Sequence, residues 1–95
     1  MSSQYPPVKV KDAISIALAW GWVEVKGPRT KGDHKYFEHP DFDIPLQIDT
    51  GAGDFGEAYI RMMIKRMGID RKKFYGATKR TAKKIGIKYD PPVLD

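Results

Sequence analysis

A chain of 95 residues with 41% hydrophobic side chains, among them 4 Phe, 2 Trp and 5 Tyr, has material for one modest core and is too short for two ordinary ones. It has no cysteine, which excludes a disulfide framework, a thiolate zinc site and a cysteine nucleophile and agrees with a cytoplasmic setting; its most apolar run, residues 13–25, is broken by Ser15, Gly21 and Glu24 and falls short of the ~20 residues that span a bilayer. The net charge of +5 is unevenly spread: residues 1–60 hold six Lys/Arg against nine Asp/Glu, and residues 61–88 hold eleven against Asp70 alone, so the basic end is either a phosphate-binding surface or a solvated helix face. In chain order, residues 1–9 contain Ser2, Ser3, Gln4, Pro6 and Pro7 and predict a flexible leader. Val10, Ile14, Ala17 and Leu18 recur at helical spacing with Gly21 as a stop, which predicts a helix over 10–20.

The period then changes. Trp22 to Lys26 is rich in strand formers, and the Gly27-Pro28-Arg29-Thr30-Lys31-Gly32 stretch has loop chemistry. A second strand over 33–39 places His34, Tyr36 and Glu38 on one face and Lys35, Phe37 and His39 on the other. Pro40-Asp41 turns the chain into a third strand over 42–48, where Pro45 cannot donate to a ladder and so predicts an edge position or a bulge. Residues 49–54 read as a turn-rich loop. A helix over 57–67 follows, with Ile60, Met63, Ile64 and Met67 as its apolar stripe and Gly68 as its cap. Asp70 then starts one more helix, whose narrow stripe of Phe74, Ala77 or Thr78, Thr81 or Ala82, and Ile85 runs to Gly86 while its other faces carry the basic cluster. Pro91-Pro92 ends the ordered part, leaving residues 89–95 as a tail.

The order of helix, three antiparallel strands and helix, with an extra C-terminal helix, predicts an α+β two-layer sandwich, since so small a sheet must cover one face with helices. This arrangement resembles the double-stranded-RNA-binding fold. Fold does not assign function, and several chemistries lack their residues. Gly51-Ala52-Gly53 has no following Lys-Ser/Thr for a phosphate loop. His34 and His39 fall on opposite faces, which disfavours zinc, and the spacing of Asp33, Glu38, Asp41 and Asp43 compels no cation site. The remaining feature is Lys31-Gly32-Asp33-His34-Lys35. An imidazole there can take a proton from a ribose 2′-hydroxyl or give one to a leaving oxygen, while lysines offset phosphate charge. Read from the residues alone, His34 is either such a group or an ordinary half-exposed strand residue. Trp22 and Phe37 read as core, and Tyr36, on the face of His34, could stack on a base. Met62 reads as a partly buried helix residue or a protein contact.

Several motifs in order along residues 10–76 carry a resemblance: Gly21-Trp22 closing the first helix, Gly32-Asp33-His34, His39-Pro40, Ile44-Pro45, then Ile60-Arg61, Lys65, Gly68-Ile69 and Phe74. On these the chain resembles the HicA (YcfA-like) toxins, small messenger-RNA-cleaving proteins neutralised by a HicB antitoxin. The resemblance implies a cytoplasmic, cofactor-free endoribonuclease over residues 10–76, with His34 as its catalytic histidine and a HicB-like protein as partner. Arg29, Lys31, Lys35, Tyr36, Arg61 and Lys65 are then the expected RNA contacts. Lys79, Arg80, Lys83 and Lys84 join them from a basic helical extension over 77–88, which has no counterpart in the family. The chain departs from the family where Asp33 replaces a small hydroxyl residue, where Leu46-Gln47 follows Pro45 in place of a histidine, and in longer loops over 27–31 and 49–57. Three functions stand open on the sequence: a metal-independent endoribonuclease, a non-catalytic RNA-binding module, and a protein-interaction domain.

Overall fold

In the computed structural model, which describes residues 4–26 and 34–93, the chain joins the fold earlier than its periodicity predicts. Strand β1 (Val8–Lys9) pairs antiparallel with strand β5 (Asp54–Phe55), Val8 opposite Phe55 and Lys9 opposite Asp54, and Val8 is fully buried. Residues 4–9 are therefore not a loose leader. Pro6 and Pro7 have no N–H and hold φ near the extended region, so this segment offers carbonyls, and side chains from the far end of the chain take them. The Tyr75 hydroxyl donates to the Pro6 carbonyl at 2.8 Å. Arg71 Nε donates to the Gln4 carbonyl, and Lys84 Nζ to that of Pro7.

Helix α1 (Val10–Ala19) buries Ala13, Ile16 and Ala17; of the predicted stripe only Ala17 is fully buried, Val10 and Ile14 are partly buried and Leu18 is exposed, so the inward face is rotated from the one the spacing predicts. After Gly21 come β2 (Val23–Val25), β3 (His34–His39) and β4 (Phe42–Asp49), an antiparallel sheet in the order β2-β3-β4. Alternation holds along β3 and β4: Phe37, Leu46 and Ile48 are buried against the helices, and His34, Tyr36 and Gln47 point away. Pro45 meets both predicted conditions. It lies on an edge strand, and the register slips between Phe37 opposite Leu46 and His39 opposite Phe42. Trp22 and Phe37 are core residues, and Trp22 stacks on Phe42 with ring centroids 5.4 Å apart.

Helix α2 (Glu57–Met67) has the predicted limits and buries Ile60, Met63 and Met67 against the sheet. Gly68 ends it in the left-handed region at φ 67°, where a Cβ would lie 3.2 Å from the Phe42 ring. The helix expected over 70–85 is two: α3 (Arg71–Gly76) and α4 (Lys79–Lys84). Asp70 caps α3, its Oδ1 accepting the Lys73 N–H at 2.8 Å. Thr78 leaves the helix and caps α4, its Oγ1 accepting the Thr81 N–H at 3.3 Å, while Thr81 Oγ1 donates to the Tyr75 carbonyl at 2.7 Å. The narrow stripe is docked into the core: Phe74, Tyr75, Ala77, Thr81 and Ala82 are all buried. The following segment returns to α3, where the Asp90 N–H meets the Gly76 carbonyl at 2.8 Å. The result is an α+β fold with one three-stranded antiparallel sheet and several helices. Among the described residues no helix is long and apolar enough to cross a membrane.

Candidate functional site

The outward face of β3 and β4 forms the floor of a groove of about 530 Å³, and α2 forms its wall. Residues directly opposite on antiparallel strands share a face, and the register sets His34 opposite Asp49 and Tyr36 opposite Gln47; all four line the floor, with Ile44 and Pro45 at its rim. The wall is Tyr59, Met62 and Arg66, which recur at helical spacing and so share one flank of α2. As the edge of the sheet, β4 leaves outward backbone groups without a strand partner. Tyr59 supplies one, its hydroxyl donating to the Gln47 carbonyl at 2.6 Å. Burial, above all, pushes the Tyr59 phenol above its ordinary value; a hydrogen bond from the Asp49 backbone opposes this and the Asp49 carboxylate adds to it. Tyr59 thus fixes α2 to the sheet as a neutral phenol and sets the width of the groove.

The groove brings together an exposed imidazole, a guanidinium and a half-buried phenol ring. An imidazole transfers protons near neutrality, a guanidinium forks onto phosphate oxygens, and a phenol ring offers a stacking face. Asp49 is the opposing charge. One of its oxygens accepts the Gly51 N–H at 2.9 Å, which ties the carboxylate to the turn following β4. Among the described residues, no three His, Asp or Glu side chains come together as a metal-ligand set.

Of the expected catalytic and RNA-contact residues, the groove gathers His34 and Tyr36; Met62, the other residue weighed as a possible contact, is partly buried in its wall. Lys35 turns to the other face and pairs with Glu24 at 3.7 Å. Arg61 pairs with Glu57 at 3.1 Å and lies 5.1 Å over the Tyr5 ring, and Lys65 is exposed elsewhere on α2. On α4, Lys79 sits 5.7 Å over the Tyr89 ring, Arg80 lies 3.8 Å from the buried Asp12, Lys84 holds the Pro7 carbonyl, and Lys83 is exposed. None of these lines the groove. Arg29, Lys31 and Asp33 lie outside the described residues. His39 is a packing residue, its ring against Trp22 and Phe42 and its Nδ1 accepting the Asp41 N–H at 3.0 Å. Arg66, Tyr59 and Asp49 were not singled out from the sequence. The signal that finds Tyr59 and Arg66 is their i, i+3, i+7 spacing with Met62, which marks a second flank of α2 beside its buried stripe, and Asp49 follows only from its register opposite His34.

Compared with known proteins, the chain matches no family model, no curated protein and no solved structure.

Proposed function

We propose that the protein is a HicA-like endoribonuclease toxin that cleaves messenger RNA in the cytoplasm without a metal ion, and that a HicB-like antitoxin neutralises it by covering the His34 groove. In this reading the fold is the two-layer, double-stranded-RNA-binding-like sandwich, with Lys79, Arg80, Lys83 and Lys84 adding electrostatic attraction. One observation carries it: His34 and Arg66, on different elements, line one groove beside Tyr36. His34 takes the proton of a ribose 2′-hydroxyl. The freed oxygen forms a bond to the adjacent phosphorus, the bond from phosphorus to the 5′-oxygen breaks, and that oxygen takes a proton from solvent. Arg66 offsets the charge that builds on the non-bridging oxygens, and Tyr36 stacks on the base beside the cut.

The test is cleavage of RNA by the purified chain in the presence of a chelator. His34→Ala is expected to lower the rate by roughly 10² to 10⁴ without loss of fold, because the side chain is exposed. Arg66→Gln is expected to lower it by about 10². Undiminished cleavage by a folded His34→Ala protein rejects the role. A second reading, a non-catalytic RNA-binding module, draws on the lysines that lie outside the groove; intact RNA binding with no cleavage by the parent protein would favour it.

A further inference from the structure

A second groove, of about 390 Å³, lies between the turn after α1, the start of α3 and the segment 88–93. Trp20, Lys72, Lys73 and Lys88 line it, and Pro91 and Pro92 form one side. We propose that this groove is a nucleotide subsite for single-stranded RNA, in which a base stacks on the Trp20 indole and Lys72, Lys73 and Lys88 hold the flanking phosphates. It rests on the reading of the chain as an RNA-binding protein and is independent of the chemistry at His34.

Two features distinguish the groove from a merely solvated basic surface. Lys72, Lys73 and Lys88 have no carboxylate within ion-pair distance among the described residues, whereas Lys35, Arg61 and Arg80 each have one. Asp70 and Asp90 also line the groove as opposing charges, two against three lysines, and Asp70 is held in place by the Lys73 N–H. The ring is fixed as well: Trp20 Nε1 donates to the Lys73 carbonyl at 3.3 Å, and the indole is half-buried against the core. A platform held in place loses little entropy when a base covers it. An aromatic face flanked by unpaired cations recognises a nucleotide, with its flat base and its charge. An acidic peptide would use the lysines and leave the indole idle.

The probe is a hexauridylate carrying one 4-thiouridine, added to the full-length His34→Ala chain so that no cleavage intervenes. Photo-crosslinking is expected at Trp20, mapped to the residue by fragmentation, in addition to any crosslink at Tyr36. Lys72→Gln, Lys73→Gln and Lys88→Gln together should weaken binding at least tenfold and lower the salt slope by about 2, at about 0.7 per single-strand phosphate contact. Trp20→Leu should weaken it about tenfold, and Trp20→Phe should restore most of the loss. Because the three lysines are exposed or solvent-facing in the groove, the Gln set tests the subsite even if Trp20→Leu fails to fold. Unchanged affinity and slope in the Gln set overturn the proposal, as does a crosslink confined to the His34 groove. Equal competition by hexaglutamate assigns the groove to an acidic protein and also overturns it. Binding at Trp20 by a parent protein that cannot cleave RNA leaves this subsite standing and removes only the catalytic reading.

Discussion

Tyr75 is a buried phenol whose one polar atom reaches back to the Pro6 carbonyl. Burial pushes its pKa from 10.0 up to about 12, with Arg71 opposing and the Tyr5 and Glu57 charges adding. Below pH 10 the phenol is protonated in both folded and unfolded chains, and its contribution to stability is complete. Between pH 10 and about 12 the unfolded chain releases the proton before the folded one does, and stability falls. Urea unfolding at pH 9 and pH 11 should therefore show a steeper loss for the parent than for Tyr75→Phe, by about 1 kcal/mol, with the variant about 1 kcal/mol less stable at pH 9 for want of the hydrogen bond. Equal pH slopes would place the titration elsewhere. Gly68 is the other residue with a single physical reason: φ is positive and the Phe42 ring occupies the space a side chain needs. Gly68→Ala should cost about 1 kcal/mol or more in unfolding free energy. At this scale His34 and Tyr36 were legible because β3 alternates. Arg66 was not, because no motif marks it and only the helical spacing from Tyr59 brings it to the groove.

Elements with a repeating period were legible and elements without one were not. The stripe of Ile60, Met63 and Met67 fixed α2 to its terminal residues, and Pro45 marked an edge strand because it cannot donate to a ladder. Two-residue strands such as β1 and β5 have no period to detect; they exist because Val8 and Phe55 bury each other's flank. The break between α3 and α4 was hidden for a different reason. Phe74, Ala77 and Thr81 keep helical spacing across it, so only the capping role of Thr78 marks the junction. Thr81 holds that junction from inside, fully buried with its hydroxyl on the Tyr75 carbonyl. Thr81→Val keeps the shape and removes the donor, and chemical denaturation should register a loss of about 1–3 kcal/mol, largely recovered in Thr81→Ser. A loss below a few tenths of a kcal/mol would mean that water replaces the hydroxyl and the junction is looser than its geometry.

Across the whole molecule, the α+β class and the antiparallel sheet followed from element order, whereas the shared interior of the first and last segments did not. Ala77, Thr81 and Ala82 belong to the buried interior, and so does Val8. The basic charge that looked like one surface is divided by that packing: Arg80 is paired to Asp12, Lys84 is committed to a backbone carbonyl, and Lys72, Lys73 and Lys88 remain beside an aromatic ring. Charge density along a sequence cannot distinguish cations that hold the fold from cations left for a ligand.

The clasp between residues 4–9 and the last helices has a consequence for the order in which the protein is made. Strand β1 needs Phe55, Pro6 needs Tyr75, and Pro7 needs Lys84, so the start of the chain waits for partners in the middle of the chain and near its far end. Contacts so distant in sequence form late, because the intervening chain must close first. The elements of the His34 groove, by contrast, all lie between His34 and Arg66, and a ribosome delivers every one of them before α4 emerges. Val8 has its strand partner Phe55 by then, whereas the Pro6 and Pro7 carbonyls still await Tyr75 and Lys84. A nascent chain can thus hold the parts of the groove and the β5 partner of β1 before the clasp on Pro6 and Pro7 exists, and the final closure of the fold belongs to the moment after synthesis has passed Lys84.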